Sequence, residues 1–157
     1  MLDLWPTDIT QSRMRAPVTI LKQQALLLEE KTEGIIIAKV KRLDRESNNG
    51  INRNPDHLFK EDQSKRQMFM YEFYLIAPTL DNYYHSLFQI SHSIELYPIS
   101  IYSDEELRSE YAENKHEGFI VNSETEFIET LRKIFGSRKT KKIIHAIIAQ
   151  SAELDLN

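Results

Sequence analysis

A chain of 157 residues with no cysteine and a formal net charge of −4 can bury about 70% of the surface its unfolded form exposes, so it needs no disulfide or metal staple, and a single domain over 1–157 is expected. The missing thiols exclude a thiolate nucleophile, a thiolate metal site and a disulfide framework, and they fit a reducing compartment. The longest apolar runs, such as Ile35–Ala38 and Tyr74–Ala77, fall far short of the roughly 20 residues of a membrane span, and the opening MLDLWPTDITQSRMR lacks the basic-then-apolar order of a signal peptide, so a soluble, cytoplasmic protein without a membrane partner is expected.

Met14, Val18, Leu21, Ala25 and Leu28 recur at steps of four and three, one helical stripe. Pro17 suits a first helical turn and Gly34 a C-terminal stop, which predicts a helix over about 16–32. Ile20, Leu26 and Leu27 widen the stripe. Packing on a sheet is the expectation; a homodimer seam is the alternative, although two heptads are short for a coiled coil. Ile35–Leu43 reads as a strand. The segment 44–66 carries ten charged residues against three large apolar ones, Ile51, Leu58 and Phe59, and is expected to be a mobile polar loop.

From Gln67 to Tyr102 the chain runs 36 residues without Lys, Arg or Gly, and nine of its fifteen aromatics fall there. The centre is therefore aromatic and the charge lies at the ends. Residues 67–77 alternate as a strand with both faces largely apolar, which predicts a central strand covered at least in part on both sides. A turn at 78–82 leads to a strand over 83–92, with Tyr84, Phe88 and Ile90 on one face and His85, Leu87 and Gln89 on the other. After a turn at 93–95, the strand 96–102 groups Tyr97, Ile99 and Ile101, and Pro98 places it at an edge or a bulge. Connections this short join antiparallel neighbours.

Ser103–Glu106 reads as a capping box opening a charged helix to about Asn114, and Gly118–Val121 as a short strand. Ser123–Glu126 is a second capping box, opening a helix that buries Phe127, Leu131, Ile134 and Phe135. Gly136 ends it, and Ser137 caps a last helix that buries Ile143, Ile144, Ile147 and Ile148. The predicted fold is α+β: an N-terminal helix, a four- to five-stranded antiparallel meander sheet, and two C-terminal helices packed on the sheet. That layout recurs in many small folds, secretion-chaperone-like and cystatin-like ones among them, so it carries no function by itself, and the residues single out no family.

The search for chemistry excludes more than it finds. There is no Gly-x-Ser-x-Gly elbow, and the serines beside His85 and His92 alternate away from them along a strand. The five histidines have no metal-ligand spacing; His85 and His92, seven apart, point to opposite faces of a regular strand. Four glycines cannot build a phosphate loop. No catalytic residue, metal or cofactor is expected. Glu72 is the one charge on its strand; it could act as a proton carrier, or simply pair with His85 or His92. An enzymatic site would have to combine Glu72, His85, Gln89 and His92.

Arg132, Lys133, Arg138, Lys139, Lys141 and Lys142 place six cations in eleven residues with no acid between them. At the end of one helix cations are favoured, but in the first turn of the next they oppose the helix dipole. Together with free N–H groups they suit a phosphate or a carboxylate. The anion could be nucleic acid, an acidic protein, or the chain's own Asp104, Glu105, Glu106, Glu110 and Glu113. Nucleic acid would gain nothing from the aromatic centre, where no Lys or Arg is interleaved, so binding through 132–142 alone would be weak and salt-dependent. The expected function is a non-catalytic protein-binding module, of the immunity, antitoxin or chaperone kind or a subunit of a larger assembly. Its sheet-face contacts would be Tyr71, Glu72, Tyr74, Tyr83, Tyr84 and His85. A nucleic-acid-associated protein using the basic helix pair is the alternative.

Overall fold

A computed structural model describes residues 1–43, 68–111 and 119–155. Helix α1 (Pro17–Lys31) precedes strand β1 (Ile37–Arg42); β2 (Phe69–Ala77), β3 (Tyr83–His92) and β4 (Ile99–Tyr102) follow. Helix α2 (Glu105–Tyr111), strand β5 (Phe119–Val121) and helices α3 (Glu124–Phe135) and α4 (Arg138–Asp155) complete the order. The five strands form one antiparallel sheet in the order β1-β2-β3-β4-β5, so the fold is the predicted α+β meander. The predicted loop 44–66 and the far end of the predicted helix to Asn114 lie outside the described residues. Among the described residues no helix is long and apolar enough to cross a membrane.

Local chemistry explains the helix ends. Pro17 occupies the first turn of α1, where no N–H is needed. At its C-terminus Gly34 donates to Glu29 O and Glu33 to Glu30 O, the paired bonds of a Schellman stop, with Gly34 at φ 80°. Thr32 Oγ1 locks the turn to β1 by donating to Leu28 O and accepting from Ile36 N. Met14 precedes the helix and is exposed, as are Leu26 and Leu27 of the widening set, while Leu21 and Ala25 of the predicted stripe are buried beside Ile20 and Leu28 packs against the core. The cap of α2 is Asp104, whose Oδ1 accepts from Leu107 N at 2.7 Å, rather than Ser103. Ser123 caps α3 as expected by accepting from Glu126 N, while Glu126 reaches back to Asn122 N. Ser137 accepts from Thr140 N and donates to Thr140 Oγ1, which donates to Ile134 O; this chain of bonds closes the tight α3–α4 corner out of contact with water.

One sheet face carries the core. Val40, Phe73, Leu75, Phe88, Ile90, Ile99, Ile101 and Val121 turn toward Leu21, Phe127, Leu131 and Ile134 of the helices. Phe73 lies flat on Phe88 with centroids 5.3 Å apart, and Phe135 of α3 tilts against both rings. Each such buried side chain contributes about 1.5–3 kcal/mol.

The opposite face is not covered by any described helix, and the partial cover expected there for the strand 67–77 comes from neighbouring side chains: Met70, Tyr74 and Ile76 are half-buried and Glu72 is buried. One correction lies in the central strands. The register pairs Phe73 with Phe88 but Tyr74 with Ser86, leaving Leu87 as the extra residue of a β-bulge. The bulge reverses the alternation, so Tyr84 is on the face away from Phe88 and His85 is on the same face as His92. Another concerns Pro98. It precedes the first paired residue, Ile99, and β4 runs between β3 and β5 rather than at an edge.

Candidate functional site

Two places gather the polar groups. On the open face, Glu72 and Gln89 are cross-strand partners, with Tyr74 and Tyr84 further along the same side. Glu72 is only 5% exposed although no described helix covers it. Neighbouring side chains do so instead. Tyr84 Oη donates to its carboxylate, Lys41 Nζ lies 3.8 Å from Oε2, and the Tyr74 and Tyr84 rings stand 4.9 Å apart. The Lys41 ammonium also sits 5.8 Å from the Tyr74 centroid. The Tyr84 phenol is pushed up to about 12, first by desolvation and then by the hydrogen bond and the charge of Glu72. This is a satisfied ion-pair network.

The predicted partners of Glu72 are on the other side of the sheet. His92 is buried, stacked on Phe69 at 5.6 Å and Tyr71 at 6.1 Å, with Nδ1 2.8 Å from Ser93 O. His85 is half-buried opposite Leu75. Burial holds its imidazole below the ordinary value; nearby Asp104 acts against this and Lys139 with it. The enzymatic grouping of Glu72, His85, Gln89 and His92 therefore comes apart into a pair on each face. The six sheet-face residues divide likewise: Glu72, Tyr74 and Tyr84 are on the open face, whereas Tyr71, Tyr83 and His85 are on the helix side. Tyr102, Ile120 and Lys39 belong on the open face and were missed. Tyr102 pairs with Gln89, Ile120 with Ser100 and Lys39 with Tyr74. Alternation in β4 and β5 could have flagged the first two, had the sheet order been known.

At the helix corner the anion is the chain's own. Glu110 of α2 accepts from Arg138 N at 2.6 Å and Lys139 N at 2.9 Å, filling the N-terminal site of α4. Lys139 Nζ lies 2.6 Å from Glu106, which raises the lysine pKa chiefly through that hydrogen bond. Arg132 pairs with Glu129 at 3.4 Å. Lys133, Arg138, Lys141 and Lys142 keep exposed side chains with no ion pair to a described residue. The six cations thus do not converge on one open pocket. Among the described residues, no group of three His, Asp or Glu stands where it could hold a metal ion.

Shallow clefts also lie among the described residues. One of about 250 Å³ lies between α1 and α3, with Ile20, Gln24, Ile128 and Phe135 in its walls. Another, about 410 Å³, lies between α1 and β1. Comparison of the chain with protein-family models, curated proteins and solved structures finds no match to any of them.

Proposed function

We propose that this chain is a non-catalytic protein-binding module working in the cytoplasm as one domain. The observation that carries the reading is the open sheet face. Tyr84, Tyr102 and Ile120 are each about half exposed there, at 46%, 48% and 58%, beside a polar network whose charges are already paired. Aromatic rings with a polar tip, set among apolar and satisfied polar groups, are the composition of a protein-contact surface. The separation of the histidines from Glu72 supports the non-catalytic part, because a general base must lie within hydrogen-bond reach of its partner.

The test is affinity capture at low salt from the source cell, with and without nuclease. A stoichiometric protein that survives nuclease, and is lost from Tyr84→Ala with Tyr102→Ala, is the expected result. Nucleic acid recovered at low salt and lost from Lys141→Glu with Lys142→Glu would replace this reading with the basic-patch one. Those two lysines are the apt choice, because Lys139 is engaged with Glu106.

A further inference from the structure

We infer that the outer edge of β1 accepts an acidic, extended segment of a partner protein as a sixth strand. The inference rests on the protein-binding reading, although at a different place from the Tyr84–Tyr102 face. β1 is an edge strand of six residues, whereas the opposite edge, β5, has only three. Leu43 N donates to Met70 O, inward to β2. Because antiparallel residues alternate in the direction of their bonds, the N–H and C=O groups of Ala38, Val40 and Arg42 face outward. No described residue bonds to them. An edge this long is a template for pairing unless something guards or uses it.

The surroundings say what would fit. The roughly 410 Å³ groove runs along this edge. Its apolar floor is Ala25 and Leu26 of α1 with Ala38 and Val40 of β1, and Leu26 is 67% exposed. Its rim is cationic: Lys22 on α1, and Lys39 and Lys41 on the open-face side of β1. A strand laid along β1 would turn alternate side chains to the two sides. On the α1 side these would meet the apolar floor. On the other they would meet Lys39, which favours Glu or Asp, beside Lys41, whose ammonium already lies 3.8 Å from Glu72. A chain of net charge −4 thus presents a local positive strip that draws acidic partners.

The same lysines disfavour a second copy. An antiparallel β1–β1 pair centred on Val40 would set Lys39 opposite Lys41, and like charges facing across strands repel. In that register, the one that pairs all the outward-facing residues of β1, the charges favour a different protein as the occupant.

The probe is a fluorescein-labelled peptide of about eight residues, long enough to span β1, in which Glu alternates with Val and Leu. The full chain is titrated by anisotropy, and amide exchange is followed by NMR. Binding should weaken with salt, and should weaken about tenfold in Lys22→Glu with Lys39→Glu, the scale of two or three exposed ion pairs. The Ala38, Val40 and Arg42 amides should gain protection. Both replaced side chains are exposed, so an unchanged melting temperature confirms that the variant is folded. Three results would overturn the inference: equal binding of a peptide with Lys in place of Glu, no change in the double variant, or outer-edge amides already protected in the free chain. If a captured partner still binds the Lys22→Glu, Lys39→Glu protein, the edge proposal falls while the protein-binding reading stands. If no protein is captured and the peptide does not bind, both fall.

Discussion

Glu72 and Phe73 are neighbours in β2 and are nearly equally hidden from water, at 5% and 1% exposure, but by different means. Phe73 is buried by a second layer: Phe88 lies beside it and Phe135 arrives from α3. Glu72 is buried by its own sheet, under Tyr74, Tyr84 and Lys41. The first kind of burial is continuous with the core and fails only when the fold fails. The second is a thin cover of side chains, and it can be rearranged while the strands stay paired. A surface intended for partners is better built on the second kind, because its side chains are free to adapt.

The largest effect should come from the helix side. Phe73→Ala removes a stacked core ring and should cost about 3–5 kcal/mol in denaturant unfolding, whereas Ile120→Ala on the open face should stay within about 0.5 kcal/mol. Comparable losses at the two positions would mean that the open face is covered. Next, Glu72→Ala should cost about 1–2 kcal/mol, since Tyr84 and Lys41 regain water once the carboxylate is gone. A cost as large as that of Phe73 would place Glu72 in the true core. Ser137→Ala, which opens the corner holding α3 over the sheet, should cost about 1 kcal/mol and leave the open face unaltered by NMR.

Titration sharpens the contrast further. The Tyr84 phenol stands at about 12 against an ordinary 10.0, so between these values the unfolded chain loses a proton that the folded chain keeps. Stability should fall as pH rises through that window. Glu72→Gln should bring the Tyr84 absorbance transition down toward 10, and an unmoved transition would refute the hydrogen-bonded pair. On the helix side the sign is opposite. Burial holds His85 below 6.5, so under that pH the unfolded chain takes up a proton that the folded one resists, and stability should drop as the solution is acidified. His85→Gln should flatten this acid slope, the smallest of these effects, as read from melting temperatures at successive pH values.

Much of the fold was legible because it rests on local physics. The steps of Leu21, Ala25 and Leu28 mark a helix, Ser123 with Glu126 marks a helix start, and short connections between aromatic strands mark a meander. The candidate site was less legible. The tyrosines were recognised as a group, but strict alternation assigned Tyr84 to the face of Phe88, and the basic cluster left its anion open between nucleic acid, an acidic protein and the chain's own acids, of which Glu106 and Glu110 fill the place. The misplaced face and the open choice of anion have one source: strand parity and charge density each leave open which distant residue arrives.

By itself the amino-acid sequence determined the order of the elements, the aromatic centre, the capped helices and the antiparallel pairing of neighbours, because each depends on side chains a few positions apart. Only the tertiary structure decided that Leu87 is an extra residue in β3, which exchanges the faces of every side chain before it, and that Glu110 reaches across to the amides of Arg138 and Lys139. A one-residue bulge is set by how two strands pack against the helices above them, and an acid meets a helix N-terminus 28 positions away only once β5 and α3, which lie between them in the chain, have folded back.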